Sequence, residues 1–233
     1  MSDAYFRQIK NRVVATLVRT VRQLRDFSEG SEFSVRALEQ PFGTKGAWKG
    51  LSFNLPDGVK VELVGQIDRV DTLELDGRTF ILIVDYKSGK KSITLPEVYS
   101  GLELQLFLYM AVARRNLGSK AVPAGAVYCR VRNDVQRCSA EPTAAEKERA
   151  YIKAGQLSGF YLNDSDVVRA LDDCTMEGRA ASPYSGLKIN NDGTLKKAAN
   201  VSDEAEWYRL LRLVEAEACR SARELTSGRI DIY

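Results

Sequence analysis

Asp68, Asp85 and Lys87 are the residues whose types and spacing could do chemistry. They lie in the stretch VKVELVGQIDRVDTLELDGRTFILIVDYKSG, residues 59–89. Residues 59–75 and 78–87 are rich in Val, Ile, Leu, Thr and Phe, and the Asp76-Gly77 pair between them is the dipeptide that a tight primed turn demands. A two-residue hairpin opposes Leu75 to Arg78, which sets Asp68 across from Asp85 and Gln66 across from Lys87, all on one face. Opposed carboxylates repel, and the residues before Asp85 (Phe80 to Val84) are apolar enough for burial on both faces. A divalent cation between the carboxylates, Mg2+ or Mn2+, with the Lys87 ammonium alongside, would offset the repulsion; a proton shared by the pair is the competing explanation. A buried Asp-Lys salt bridge with Asp68 in a turn is a third reading, but it leaves one carboxylate unmatched.

The elements that must position these residues read as a mixed sheet flanked by helices, a single α/β domain over residues 1–233 with its core motifs in 59–112. Residues 3–27 carry Phe6, Ile9, Val13, Leu17, Val21 and Leu24 at helical steps, with Lys10, Arg12, Arg19 and Arg22 on the other face. That basic face could touch phosphate, and a solvated surface is the plainer explanation. A strand is expected over 32–42, ending at Pro41, then a short strand over 51–55 and a turn at Pro56-Asp57-Gly58. Pro96 opens a helix that runs to Asn116, before Gly118; Gln105 and Tyr109 sit one turn apart on it. Residues 121–131 form an apolar interior strand beside the hairpin. Helices over 143–156 and 164–173, a hairpin over 187–197 and an amphipathic helix over 202–227 complete the order.

Composition sets bounds on function. The chain has 34 Lys plus Arg against 31 Asp plus Glu, so its net charge of +3 permits a local basic groove without marking a nucleic-acid binder. Cys129, Cys138, Cys174 and Cys219 are irregularly spaced, with no C-x-x-C, and the chain has no histidine, which excludes a zinc site of the usual kind and leaves reduced structural thiols. No apolar run is long enough to cross a bilayer, and residues 1–12 lack a secretory signal, so a cytosolic protein with no membrane partner is expected. Ser88-Gly89-Lys90-Lys91 is not a phosphate-binding loop of the Walker type, because Val84 stands where that pattern needs glycine; Lys90 and Lys91 could still meet a DNA backbone, or form an ordinary exposed turn.

The wording GQIDRVD, then ILIVDYKSGK, then GLELQLFLYM, in that order, resembles the PD-(D/E)XK, restriction-enzyme-like nucleases. Within them it is similar to the RecB-type branch, and most of all to the C-terminal nuclease domains of the B subunits of bacterial AddAB helicase-nucleases. Asp-x-Lys alone recurs by chance in a chain with 28% charged residues; the ordered combination does not. The resemblance runs from about Glu32 to the C-terminus. It implies a restriction-endonuclease-like core in which Asp68, Asp85 and the Tyr86 carbonyl hold Mg2+ (or Mn2+), with Lys87 as the catalytic lysine. Lys87 would orient or deprotonate the attacking water, or stabilise charge on the phosphate. Gln105 and Tyr109 match the Q-x-x-x-Y motif that positions the substrate. Arg69, on the opposite face of its strand, is expected to pair structurally with Asp71.

What the resemblance implies about function is cleavage of single-stranded DNA while an AddA-like helicase partner unwinds a broken duplex end during recombinational repair. Two alternatives keep the fold: a catalytically silent DNA-binding or scaffolding module, and a stand-alone restriction-like endonuclease. The chain departs from the family pattern at three points. The histidine that related nucleases place on a helix before the core has no counterpart; none of the four cysteines fits the family's iron-sulfur arrangement, so no such cluster is expected; and a fragment of a longer polypeptide is expected. Glu39 resembles a glutamate common at this point of the family, with a metal-site or a structural role equally open.

Overall fold

The computed structural model describes residues 3–44, 46–56, 58–89, 91–131, 143–173, 181–193, 195 and 200–229, with the side chains of Asp3, Glu148 and Tyr151 excepted. Its elements are α1 (Asp3–Glu29), β1 (Ser34–Phe42), β2 (Leu51–Asn54), β3 (Lys60–Leu63), β4 (Gly65–Leu75), β5 (Arg78–Lys87), α2 (Leu95–Tyr99), α3 (Gln105–Leu117), β6 (Ala121–Arg130), α4 (Ala144–Ala154), β7 (Ser158–Leu162), α5 (Ser165–Leu171), β8 (Val201–Ser202) and α6 (Glu204–Thr226). Six strands form one mixed sheet in the order β1-β4-β5-β6-β7-β8, the α/β architecture expected, and β2 and β3 pair separately.

The central hairpin forms as its turn chemistry requires. Asp76 and Gly77 both take positive φ (51° and 70°), the two-residue primed geometry whose twist matches the flanking strands. Pairing then runs from Leu75 with Arg78 to Arg69 with Val84 in the expected register. β5 is buried at every position from Phe80 to Asp85, because β6 lies parallel on its far side and pairs with it as far as Lys87 and Arg130. The parallel pair needs a crossover, and α3 supplies it. Leu106, Phe107, Met110 and Val112 of α3 are buried, and Phe107 joins Phe160 of β7 and Trp207 of α6 in one aromatic cluster with ring centroids 5.1–5.8 Å apart.

Several expected elements are subdivided. The long strand over 59–75 breaks at Val64: β3 leaves to pair with β2, and β4 begins at Gly65, where the Phe42 ring lies so close that a Cβ would sit 2.8 Å from it. The helix expected from Pro96 to Asn116 is two helices. Gly101 (φ 77°) and Glu103 (φ 51°) take left-handed conformations that no continuing α-helix accepts, so α3 starts afresh at Gln105. β1 runs one residue past Pro41, tolerated because β1 is an edge strand. Of the hairpin expected at 187–197, a single bridge between Ile189 and Leu195 is described. Asp57, Lys90, Cys138, Cys174 and residues 196–197 lie outside the described residues. Cys129 is buried and unpaired, and burial pushes its thiol up to about 11, as suits a packing residue.

α1 forms over the expected span, yet its apolar stripe is uncovered over most of its length: Phe6 is 60% and Val21 64% exposed. The helix meets the body toward its C-terminal end, where the Gln23 amide donates to the Ile152 carbonyl, Leu24 and buried Phe27 pack against the core, and the Ser28 hydroxyl accepts from Arg69. Lys10, Arg12, Arg19 and Arg22 are exposed as well. No described helix is long and apolar enough to cross a membrane.

On the back of the hairpin Arg69 forms the expected pair with Asp71, a two-pronged contact in which Nε donates to Oδ1 at 2.8 Å and NH2 to Oδ2 at 2.7 Å, with both residues buried. Burial works against the Arg69 charge, and the hydrogen bonds and charge of Asp71 outweigh it, holding the guanidinium above its usual range. Removing one partner strands the other. Asp71→Ala should lower the unfolding free energy by about 3–5 kcal/mol in urea denaturation, whereas the apolar double variant Arg69→Met, Asp71→Leu should recover most of that loss; a single variant as stable as the parent would show that the pair holds nothing.

Candidate active site

The ladder between β4 and β5 stops at Arg69 and Val84, one step before the two aspartates would face each other. The expected direct opposition of Asp68 to Asp85, and of Gln66 to Lys87, is therefore not part of the ladder. Instead the Tyr86 N–H donates to Asp68 Oδ2 at 2.8 Å, so that a carboxylate takes the donor that a strand carbonyl would otherwise take. The two strands part at this point, while β5 stays held to β6 through Asp85 with Tyr128, Tyr86 with Cys129 and Lys87 with Arg130. A strand fixed on one side and released on the other presents its last residues at a sheet opening.

Asp85 is 2% exposed. Lys87, two residues on and on the same face, places its Nζ 2.6 Å from Asp85 Oδ2. Burial pushes the Asp85 carboxyl above the ordinary carboxylate range; Lys87 counters this in part, and the neighbouring Asp68 charge pushes the same way as burial. Despite the close ammonium, Asp85 Oδ2 has no hydrogen bond of acceptable alignment, which leaves a buried anionic oxygen short of a directed partner.

From Lys87 a chain of contacts leads to the crossover helix. Lys87 Nζ donates to Gln105 Oε1 at 3.0 Å, and Gln105 Nε2 donates to the Tyr109 hydroxyl at 2.8 Å. Because Gln105 opens α3 and Tyr109 follows one turn later, both polar tips lie on the face turned to Lys87. Tyr109 is braced from behind by the Phe42 ring, 5.9 Å away at 73°. Asp68, Asp85, Lys87, Gln105 and Tyr109 are thus joined by contacts around the end of β5. The Tyr86 side chain points to the other face, toward Arg69, so only its backbone is directed here. Glu39, at a positive φ of 47°, accepts a hydrogen bond from the Gln66 amide.

Two residues not singled out in the sequence complete the surroundings. Glu103, in the left-handed link before α3, pairs with Lys91 and accepts from the Tyr128 hydroxyl at 3.2 Å. Tyr128 stands beside Asp85 in the β5–β6 register, beneath the Lys87 ammonium at 5.6 Å from its ring centroid. Both are legible only afterwards, Glu103 as the acidic residue within GLELQ and Tyr128 as the polar tip in an otherwise apolar strand.

Among the described residues no three His, Cys, Asp or Glu side chains cluster as metal ligands. Mg2+ does not require three, since it commonly keeps several waters and takes one or two carboxylates together with substrate oxygens. The undersupplied Asp85 oxygen beside the Asp68 charge fits such an ion.

A mixed sheet that carries Asp on one strand and Asp-x-Lys at the end of the next, with a polar crossover helix above, defines a class of nuclease. The chain belongs to the PD-(D/E)XK nuclease superfamily, whose family model it matches over residues 1–232. Among curated proteins it is similar to the B subunits of the ATP-dependent helicase/deoxyribonucleases of Bacillus thuringiensis, Bacillus cereus and Bacillus anthracis, 35% identical to each over 232 residues, which is 96% of this chain. The chain spans 20% of the length of those relatives.

The raised Asp85 pKa has a measurable consequence for stability. The folded protein holds this proton more tightly than the unfolded chain does, so in the window between the ordinary aspartate pKa and the raised one, stability falls as pH rises. Asp85→Asn removes the buried charge. In EDTA its melting temperature should exceed the parent's at pH 8, and the gain should shrink as pH falls through that window; scanning fluorimetry that finds no gain at pH 8 contradicts the assignment.

Proposed function

We propose that this domain is a Mg2+-dependent deoxyribonuclease that hydrolyses phosphodiester bonds of unwound single-stranded DNA, as the nuclease part of a helicase-nuclease that prepares broken duplex ends for recombination. The observation that carries the reading is the chain Asp85–Lys87–Gln105–Tyr109, anchored on a buried carboxylate with an undersupplied oxygen beside Asp68. A structural ion pair alone has no use for the remaining two members, nor for a second carboxylate at the same opening.

Asp68, Asp85 and the Tyr86 carbonyl are the groups that would hold Mg2+. When bound, such an ion polarises the scissile phosphate and lowers the pKa of a coordinated water. Lys87, paired with Asp85 and aimed by Gln105, orients the attacking water and faces the negative charge that develops on the phosphate. The Gln105 amide is fixed in direction by its two contacts: its oxygen is taken by Lys87 and its nitrogen by Tyr109. Since the Tyr109 oxygen accepts from Gln105, its own proton remains to be given to a substrate oxygen. Similarity to the B subunits of helicase/deoxyribonucleases supports DNA as the substrate and an AddA-like helicase as the partner.

The test is degradation of a labelled single-stranded oligonucleotide. Cleavage should require Mg2+ or Mn2+ and cease in EDTA. Asp68→Ala, Asp85→Ala and Lys87→Ala should each lower the rate by about 10²–10⁴-fold, and Gln105→Ala by less, with all four variants folded by circular dichroism. Metal-independent cleavage, or cleavage that survives Asp85→Ala, would sink the proposal.

Raising Mg2+ should also raise the parent's melting temperature, since a ligand that binds only the folded state stabilises it by mass action. Asp85→Asn should lose that response. A Mg2+-dependent shift that persists in Asp85→Asn places the ion elsewhere.

A further inference from the structure

We propose that a cleft beyond the candidate active site, across β6, β7 and the end of α4, binds the phosphate backbone of a single DNA strand, with Lys153 as its outermost contact. This inference rests on the proposed nuclease reading and extends it to where the uncut part of the substrate lies.

Two concavities meet at Lys87, Gly89 and Lys91, which line both. The smaller, of about 500 Å³, is closed by Glu103 and Gln105 and adjoins the site. The larger, of about 670 Å³, runs the other way: Tyr128, Ser158 and Tyr161 lie along it, with Lys153 and Gln156 at the end of α4 and the Ser185-Gly186 link opposite. Together they make one track from Gln105, past Lys87, to Lys153. The larger cleft has the volume of a pocket for about one or two nucleotides.

Its charge is what marks a ligand. Cations and carboxylates nearly balance over the whole chain, 34 to 31, yet the described residues lining the larger cleft include Lys87, Lys91, Arg130 and Lys153 and, among them, no Asp or Glu. Lys87 is committed to Asp85 and Lys91 to Glu103, and Arg130 is engaged as well. Among the described residues the Lys153 ammonium has no ion-pair partner. In the larger cleft, a concave wall with cations spaced along it and no acid among its described lining residues focuses positive potential inward. Anionic strands bind through such grooves with a salt dependence set by the number of phosphates neutralised. An extended single strand can follow a recess at the sheet opening with its phosphates turned inward, whereas a duplex carries its phosphates on a convex outer surface.

Binding is measured by fluorescence anisotropy with labelled oligodeoxythymidylate and with a blunt duplex of equal length, in EDTA, using Asp85→Asn protein so that nothing is cleaved. Adding Lys153→Glu should weaken single-strand binding by about 5–10-fold and make the log–log salt slope shallower by about 0.7, the loss of one phosphate contact. Lys153→Ala, a milder change on the exposed end of α4, should move both readouts the same way. The same reversal at Arg223, which lines neither cleft, should leave them unchanged, and the duplex should be insensitive to Lys153. Single-strand affinity and slope unaffected at Lys153, or affected equally at Arg223, overturn the proposal; a duplex that loses as much as the single strand overturns its single-strand selectivity. Because no turnover is read, a Lys153 effect in a protein that never cleaves DNA would leave the cleft standing and remove only the nuclease reading.

Discussion

A carboxylate held out of water at the end of a strand that is buried on both faces is the constraint around which this molecule is arranged. Asp85 follows five apolar residues and is itself 2% exposed, so its charge is unfavourable there unless something nearby answers it. Lys87 answers in part, from two residues along the same strand, and the unaligned Asp85 oxygen shows that the answer is incomplete. Local stability has been given up where a ligand could restore it. Buried charges with imperfect partners are a recurrent mark of functional sites, since a perfectly satisfied pair would have nothing left to offer.

Strand pairing makes that burial possible and also limits it. β6 grips β5 to its last residue, while β4 lets go at Arg69, and the Asp68 side chain takes the donor that β4's backbone gives up. The same hairpin has opposite characters on its two faces. Arg69 and Asp71 close the back with a two-pronged, fully buried contact, and the front carries the half-answered aspartate. A rigid back lets the front be under-satisfied without the ribbon collapsing.

The helix that crosses from β5 to β6 supplies the remaining polar groups, and its starting point is decisive. Had it continued from α2, Gln105 would lie in mid-helix with its direction set by a different phase. The left-handed pair Gly101 and Glu103 resets the phase, so that Gln105 stands at the first turn over Lys87 and Tyr109 one turn behind it. Glu103, displaced by the same break, draws Lys91 and Tyr128 toward the opening. Three separate segments therefore meet at one lysine, and the crossover's hydrophobic anchor, the Phe107, Phe160 and Trp207 cluster, keeps them there.

The sequence by itself determined the hairpin, its turn and its register as far as Arg69 and Val84, because Asp-Gly admits few turn geometries and strand alternation has a period of two. It determined the Arg69–Asp71 pair for the same reason, both residues lying on one face two positions apart. Its ordered motifs also identified the superfamily, since a run of matched residues carries more information than any single Asp-x-Lys. Tertiary structure decided what depends on partners distant in the chain. It broke the 59–75 strand by pairing β3 with β2, split the helix after Pro96, exposed the apolar face of α1, and brought Tyr128 beside Asp85 and Glu103 onto the Tyr128 hydroxyl. Local propensity cannot report these features, because each is settled by which surfaces meet and not by the preferences of the residues that carry them.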